Sequence, residues 1–350
     1  MRSILIITQK VDERDDLLGF FVDWLREFAR HCDQVHVIAL GTGAYDLPPH
    51  VFVHSLGKEK NAPRWRRLLR FFRLLWRLAP SSDGIFAHMS PIFVIASWPV
   101  AFLFHKKIIL WYLHRSVTIR LRIAEMLSHR IVTATRESLR LKSGKIMELG
   151  HGINIERFSE RGAVGGISAA RILSVGRISP IKHYETLIDA VRLLEQHNIA
   201  VTVTIIGKPV MRGDVEYETM LKERVSRFDM TGKISFGGFV PYAQIHNCYQ
   251  GTDIVVNLTP TGGIDKVVLE AMAAGCLVLV SNDAFRKYFG QYSNQLIFKH
   301  DDPQDLAHKV RGLLSLSPEE KEKLRGFLIN IVQAHHNITS LIPAIVRLYE

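Results

Sequence analysis

The sequence predicts an α/β protein made of two Rossmann-like, doubly wound parallel-sheet domains in tandem, and three observations carry that prediction. Short, nearly continuous apolar runs recur along the chain, stretches of helical length separate them, and a glycine-bearing stretch without period divides the series in two. Strands that read as unbroken apolar runs are buried on both faces, as parallel strands covered by helices are. A length of 350 residues also exceeds what one hydrophobic core usually organises.

In the first half, Ile4–Thr8, Gln34–Leu40, Val51–His54, Gly84–His88, Ile108–Leu113 and Arg130–Ala134 are apolar or β-branched runs of strand length. Leu17–Cys32 and Ile119–Leu127 have helical length. Pro91–Phe104 is apolar for about 14 residues, broken by Ser97 and Pro99 and ended by His105-Lys106-Lys107. A membrane span needs roughly 20, so this stretch reads as a buried helix. The stretch from Ile153 to Ala170, with Gly162, Gly165 and Gly166, reads as a linker between domains at 1–160 and 161–337. The second half starts again with strands at Arg171–Val175, Ala200–Ile206, Lys233–Phe236, Asp253–Asn257 and Leu277–Ser281. Helices at Leu187–Glu195, Glu216–Arg227 and Val267–Ala274 alternate with them. Ser317–Glu350 reads as helical, with Leu341, Ile342, Ile345, Val346 and Leu348 as its apolar side. Two such domains are expected to leave a cleft at the carboxyl ends of their strands, where ligands bind.

Composition excludes several classes. With 47% apolar and 23% charged residues the chain is globular, not disordered or collagen-like. Cys32, Cys248 and Cys276 lie far apart, form no Cys-x-x-Cys pair and read as core thiols of a reducing compartment. The only early apolar run, Ile4–Ile7, is too short for a signal peptide, so a cytoplasmic chain is expected. On that expectation the glycosylation-like tripeptides Asn257-Leu258-Thr259 and Asn337-Ile338-Thr339 are chance matches.

A net charge of +11 points to an acidic partner. Phosphate-binding signatures narrow the choice. Thr8–Leu18 contains no glycine, which disfavours a dinucleotide site at the first turn, and no Gly-x4-Gly-Lys-Ser/Thr loop is present. The candidate phosphate chemistry lies in the second half, where a strand runs into Gly176-Arg177-Ile178-Ser179-Pro180-Ile181-Lys182. A guanidinium and an ammonium in one loop at a strand end suit a diphosphate and its departure, although surface salt bridges produce such a pair more often. Farther on, Pro260-Thr261-Gly262-Gly263-Ile264-Asp265 opens a helix whose first amides would add to an anion site. Glu270 stands among Val267, Val268, Leu269, Ala271 and Met272, where a carboxylate needs a task or a partner. Ribose hydroxyls would supply a task; the spacing fits equally a Glu on the polar side of the helix.

In order, Gly176-Arg177 with Lys182, Ile205-Ile206-Gly207, Phe236-Gly237-Gly238-Phe239-Val240 and Leu269-Glu270-Ala271-Met272-Ala273-Ala274-Gly275 resemble the donor-binding half of the retaining glycosyltransferases of family 4, which have the GT-B fold. Gly19, His114 and His151-Gly152-Ile153-Asn154, where the family often has Asn-Gly-Val-Asp, extend the resemblance over nearly the whole chain. It implies a nucleotide-diphosphate sugar as co-substrate, UDP- or GDP-linked, with no separate cofactor and no metal. Arg177 and Lys182 become the diphosphate clamp and Glu270 the ribose ligand. Gly19 lets the first loop approach the donor, and His114 donates to a sugar hydroxyl; without the resemblance, His114 reads as a core-edge histidine. The implied donor site also takes in Gly176, Gly207, Gly237, Gly262, Gly263, Ile264, Asp265 and Leu269, and a last helix, about 338–350, packs back on the first domain. In the implied retaining reaction the leaving phosphate oxygen takes the acceptor proton, so no protein base is needed. One departure stands out. The family pattern of Glu, seven residues, Glu would put its first Glu at position 262, where this chain has Gly262, and Asp265 is a candidate substitute. The acidic run Asp12, Glu13, Asp15, Asp16 reads as a solvated loop, with acceptor recognition or a helix cap as alternatives.

Between Lys58 and Arg77 lie eight basic residues against Glu59 alone. Arg66, Arg70, Arg73 and Arg77 repeat at helical spacing, and Trp65, Leu68, Leu69, Phe72, Leu75, Trp76 and Ala79 make up the opposite face. Such a helix can lie against an anionic membrane, or turn its apolar face to the domain core and its arginines outward, and both can hold at once, since a core-packed helix can present its arginines to lipid phosphates. No stacking platform accompanies the charge, so nucleic acid is not expected. The resulting expectation is a transferase attached to the cytoplasmic membrane face and acting on a glycan or lipid-linked acceptor. Gly262 motivates a second possibility, a binding or scaffold protein of the same fold; a sugar-nucleotide epimerase would need an acidic catalytic set that is not evident.

Overall fold

A computed structural model describes residues 1–159, 169–260 and 262–350. Half of the expected linker, residues 160–168 with its three glycines, lies outside the described residues. The chain forms two compact units, one of Met1–Asn154, Pro241–Ala243 and His336–Glu350, the other of Ile155–Val240 and Gln244–His335. The first contains, in order, β1 (Ser3–Val11), α1 (Phe21–His31), β2 (Gln34–Thr42), β3 (Val51–Ser55), α2 (Arg64–Leu78), β4 (Gly84–His88), α3 (Pro91–Leu103), β5 (Lys107–Trp111), α4 (Ile119–Leu127), β6 (Arg130–Thr133) and β7 (Ile146–Glu148). Its seven strands are all parallel, in the order β3-β2-β1-β4-β5-β6-β7.

Alternation along β1 builds two cores from one strand. Ile4 and Ile6 join Phe21, Trp24 and Phe28 of α1 on one face; Leu5 and Ile7 join Phe71 and Leu75 of α2, Val94 of α3 and Leu121 of α4 on the other. Pro91 opens α3, and the Thr118 hydroxyl caps α4 by accepting from the Leu121 amide at 3.2 Å.

The second unit follows with α5 (Ile155–Phe158), β8 (Ala170–Val175), α6 (Tyr184–Gln196), β9 (Val201–Ile206), α7 (Arg212–Arg227), β10 (Ile234–Gly238), α8 (Ile245–Tyr249), β11 (Ile254–Asn257), α9 (Lys266–Ala273), β12 (Leu277–Val280), α10 (Arg286–Phe289), α11 (Ser293–Leu296), α12 (Pro303–Leu314) and α13 (Pro318–His335). Its sheet is also parallel, ordered β10-β9-β8-β11-β12. A doubly wound pair of parallel-sheet domains is therefore observed.

The terminal helical stretch is two helices. After α13 the chain breaks at His336, and α14 (Ile338–Arg347) belongs to the first unit. Leu341, Ile342, Ile345 and Val346 enter the core with Trp24 and Phe28. The Trp24 indole donates to the Gly152 carbonyl at 3.1 Å, and a Cβ at Gly152 would fall 2.5 Å from Leu341. Its φ of +66° is a second reason for glycine at that position. The end of the chain is pinned as well: the Tyr349 hydroxyl donates to the Ile85 carbonyl at 2.8 Å.

Four expectations are corrected. Pro91–Phe104 is a half-buried helix, since Ile92, Phe102 and Leu103 are exposed. Cys248 is half-buried, whereas Cys32 and Cys276 are core thiols. The acidic run is an organised turn, because Asp12 and Asp15 both pair with Lys10 at 2.9 Å and Asp15 accepts from the Leu17 and Leu18 amides. Finally, α2 buries only Leu75 and Ala79 of the face assigned to it, and buries Phe71 and Leu78 from outside that face. Phe71, Leu75 and Leu78 are buried, while Trp65, Leu68, Leu69, Phe72 and Trp76 are exposed.

At the end of β4, His88 is fully buried, with its ring stacked on Phe21 at 3.8 Å and Nδ1 3.0 Å from the Thr8 hydroxyl. Burial lowers its pKa from 6.5 to about 3, so the folded protein keeps the imidazole neutral while the unfolded chain protonates it. Its contribution to stability is thus complete above pH 6.5 and is lost as the pH falls toward 3. Over that window it steepens the acid loss of stability by about 1.4 kcal/mol per pH unit. His88→Gln is expected to remove this increment, as measured by urea unfolding between pH 4 and 7.

Candidate functional site

In the second unit, the loops following β8, β9, β11 and β12 leave the same edge of a parallel sheet, the edge at which such sheets bind ligands. Their packing requires glycine. The Gly176 amide donates to the Ile206 carbonyl at 2.9 Å, and the Gly207 amide donates to the Gly238 carbonyl at 2.8 Å. A Cβ on Gly207 would stand 1.8 Å from the Gly176 oxygen, and its φ of +151° suits no L side chain. Gly237 is less constrained, since a Cβ there would meet only the tip of the Ile206 side chain, at 2.5 Å.

Lys182 ends a short 3-10 turn, Pro180–Lys182, that folds back over Gly176. Its ammonium donates to the Thr259 hydroxyl at 2.6 Å and to the Asp265 carboxylate at 3.1 Å. The same Asp265 oxygen accepts from Thr259 at 2.7 Å and from the Asn257 amide group at 2.9 Å. Burial alone would raise the Asp265 pKa; the Lys182 charge, with the Thr259 and Asn257 hydrogen bonds, outweighs it and holds the carboxyl below its usual 3.8. Because this carboxylate turns to Lys182, it does not cap α9, which starts at the next residue.

Arg177 is much less committed. Its side chain is 46% exposed and its Nε lies 3.8 Å from the Asp214 carboxylate. Arg177 and Lys182 thus share one loop, with one cation open to solvent and the other held. Glu270 is only 3% exposed and already has partners: Lys266 at 2.9 Å and the hydroxyl of Tyr249 at 3.3 Å. Burial first, and then Glu270, push the Tyr249 hydroxyl pKa well above 10, so it stays a donor. Ile264 and Leu269 are buried and contribute apolar packing. Gly262 has a φ of +140° with open space where a Cβ would stand, and the Gly263 carbonyl accepts from Asn282 at 3.1 Å.

Gly19 and His114 belong to the first unit. Gly19 precedes α1, and a Cβ on it would meet the Asp15 carbonyl at 2.8 Å. His114 is exposed and its Nδ1 accepts from the Ser116 amide at 3.1 Å. The sequence reading missed Asn257, Thr259, Asn282, Tyr249 and Lys266. In sequence the first two read as a chance glycosylation match, yet Asn257 is 3% exposed and both residues hold Asp265. Their one available signal was position, just at and after the end of an apolar strand.

Comparison with solved structures defines the class first. HepE of Anabaena, solved with UDP and glucose, matches 99% of both chains with a TM-score of 0.76 and 17% identity. Sucrose-phosphate synthase of Thermosynechococcus elongatus matches 100% of this chain and 98% of its own, with a TM-score of 0.76 and 17% identity. This likeness is one of fold, and the fold is GT-B.

Residues 168–326, just under half of the chain and containing the Lys182–Asp265 site, match the family model described as Glycosyl transferases group 1, which supports a glycosyltransferase. Mannosylfructose-phosphate synthase of Agrobacterium fabrum is 25% identical over 47% of this chain and 36% of its own length. Amylovoran biosynthesis glycosyltransferase AmsK of Erwinia amylovora is 26% identical over 64% of this chain and 50% of its own. The chain thus spans between about a third and a half of these curated relatives.

Two substitutions test the geometry. Gly207→Ala is expected to prevent the β8 and β9 loops from closing, lowering the melting temperature and abolishing any nucleotide-dependent stabilisation. Asp265→Asn leaves the Lys182 ammonium without its counter-ion and is expected to cost about 1–3 kcal/mol at pH 7. Because the Asp265 pKa is lowered in the fold, its contribution is complete above the ordinary carboxylate value and lost as the pH drops through the folded one. Denaturant midpoints of wild type and variant are therefore expected to stay apart above the ordinary carboxylate value and to converge as the pH falls through the lowered one.

Proposed function

We propose that the chain is a glycosyltransferase of family 4 that moves a sugar, with retention, from a nucleotide-diphosphate sugar to a glycan or lipid-linked acceptor. The observation carrying this reading is the pair of cations in one loop of the second unit: Lys182, fixed by Thr259 and Asp265, and the more exposed Arg177. This loop lies within the segment that matches the glycosyltransferase model. A diphosphate meets Arg177 as a fork-shaped donor and Lys182 as a point charge, and both hold its growing negative charge as the sugar leaves. Backbone close to these cations is supplied by Gly176 and Gly207, which carry no side chain to obstruct the approach. The leaving oxygen takes the acceptor proton, so the reaction needs neither a protein base nor a metal. His114 is assigned to the sugar hydroxyls and Glu270 to the ribose; Glu270 accepts from Lys266 on one oxygen and from Tyr249 on the other, and a carboxylate oxygen can accept more than one bond.

UDP-sugars are the first donors to try, since HepE was solved with UDP and with UDP-glucose. The setting we infer is the cytoplasmic face of a membrane, supported by the arginines of α2; among the described residues no helix is long and apolar enough to cross one. A specific observation favours a second reading, a nucleotide-sugar-binding protein without turnover. Gly262 replaces an expected carboxylate, and Asp265 engages Lys182.

Thermal unfolding against UDP-, GDP-, ADP- and dTDP-sugars separates these readings. A donor present at about 100 times its dissociation constant stabilises the native state by about 2.7 kcal/mol. One nucleotide class is expected to raise the melting temperature of the wild type, and Arg177→Ala or Lys182→Ala to abolish the rise. Slow hydrolysis of that donor identifies an enzyme, and stabilisation without hydrolysis or transfer identifies a binder. No shift with any donor overturns both.

A further inference from the structure

We propose that the outer face of α2 and the end of α3 form a membrane-insertion surface, with apolar side chains entering the lipid and arginines lying against anionic headgroups. This rests on the membrane-face reading above and changes its physical basis, from charge alone to charge combined with burial of exposed hydrophobic groups.

At 3.6 residues per turn, α2 has three faces, each about a third of a turn from the next. Phe71, Leu75 and Leu78 form the buried one. Arg66, Arg70, Arg73 and Arg77 form the second, and no carboxylate lies anywhere in α2. Trp65, Leu68, Leu69, Phe72 and Trp76 form the third, and they are exposed; Trp65 is 59% and Leu69 62% accessible. A helix that only covered a core would turn polar side chains outward at those positions.

The patch continues beyond α2. Trp76 meets Phe104 edge to face, with ring centroids 5.6 Å apart, and Phe102 and Leu103 just before it are exposed, Phe102 at 69%. A large exposed apolar patch in a chain of this composition marks an interaction surface. The occupant follows from charge. Beside the patch runs a stripe of arginines, and Arg66 lies over the Trp65 ring at 5.1 Å. Tryptophan and leucine at the rim of a cationic stripe match the boundary between anionic headgroups and acyl chains, where the indole sits at headgroup level and the guanidinium stays at the phosphates.

The experiment uses the purified chain with phosphatidylcholine vesicles, with and without phosphatidylglycerol, at low salt and at about 1 M salt, where charge attraction is screened within a few ångströms. Binding is expected to require phosphatidylglycerol at low salt and to survive in part at high salt. Brominated acyl chains are expected to quench a fluorescence component that disappears in Trp65→Phe/Trp76→Phe. Leu68→Ser/Leu69→Ser changes exposed groups only, so its unfolding midpoint is expected to match wild type while vesicle affinity falls by more than about tenfold. If anionic vesicles bind but salt releases the protein completely and the leucine variant binds like wild type, insertion is overturned and the membrane reading stands. If wild type binds neither vesicle, both fall. A dimeric mass that Leu68→Ser/Leu69→Ser converts to monomer overturns the proposal in favour of a second copy of the chain.

Discussion

The contact on which the candidate site depends is the one between Lys182 and Asp265, 3.1 Å apart and separated by 83 positions in the chain. An ammonium withdrawn from bulk water is unfavourable without a counter-charge, and a carboxylate withdrawn with it needs donors of its own. Asp265 has three on one oxygen, from Lys182, Thr259 and Asn257, so the loop after β8 and the loop after β11 become one polar network. The glycine approaches of Gly176 and Gly207 then hold the loop after β9 against the same network. This leaves two unlike cations. In the proposed reaction the diphosphate meets an Arg177 that lies 3.8 Å from the Asp214 carboxylate and a Lys182 that Asp265 also engages.

Much of the fold was legible because a parallel strand covered on both faces admits few polar residues. Gly84–His88 was read with the bounds it has in the structure, and Val51–Ser55 differs by one residue. β7 was not legible: Ile146-Met147-Glu148 is too short to show any pattern and is recognisable only by its pairing with β6. In the site, glycines and cations stood out as residue types. Asn257, Thr259 and Asn282 did not, because a lone amide or hydroxyl is unremarkable until strand ends bring several together. The partnership of Lys182 with Asp265 was hidden for the same reason, as sequence distance says nothing about which loops share a sheet edge.

The misreading of α2 has a different origin. An amphipathic helix is expected to have one apolar and one polar face, so Trp65, Leu68, Leu69, Phe72, Leu75, Trp76 and Ala79 are read as a single surface, which leaves out the buried Phe71 and Leu78. The helix has two apolar stripes, and the stripe richer in tryptophan is the one left outside. Side-chain type offers no distinction between them, since Leu75 is buried and Leu69 exposed with the same chemistry. The distinction is angular: Phe71, Leu75 and Leu78 align with the sheet residues Leu5, Ile7 and Ile85, and the position of that sheet is not written in α2 itself.

Gly262 is best understood together with Asp265. Its φ of +140° is a conformation that a glutamate takes only with strain, so the departure at this position is one of backbone as well as charge. Among the described residues, nothing outside its chain neighbours lies within 4 Å of where a Cβ would stand at Gly262. The clamp is assembled from β8, β11 and the residue before α9, whose contacts are complete without a carboxylate at 262. In the proposed reaction the consequence falls on the sugar end of the donor, where hydroxyls that a glutamate would receive must find backbone, water or another side chain. The diphosphate end keeps its cations. Under the proposed reaction, a change at position 262 therefore bears on which sugar is accepted, whereas changes at Lys182 or Asp265 bear on whether the nucleotide diphosphate is held.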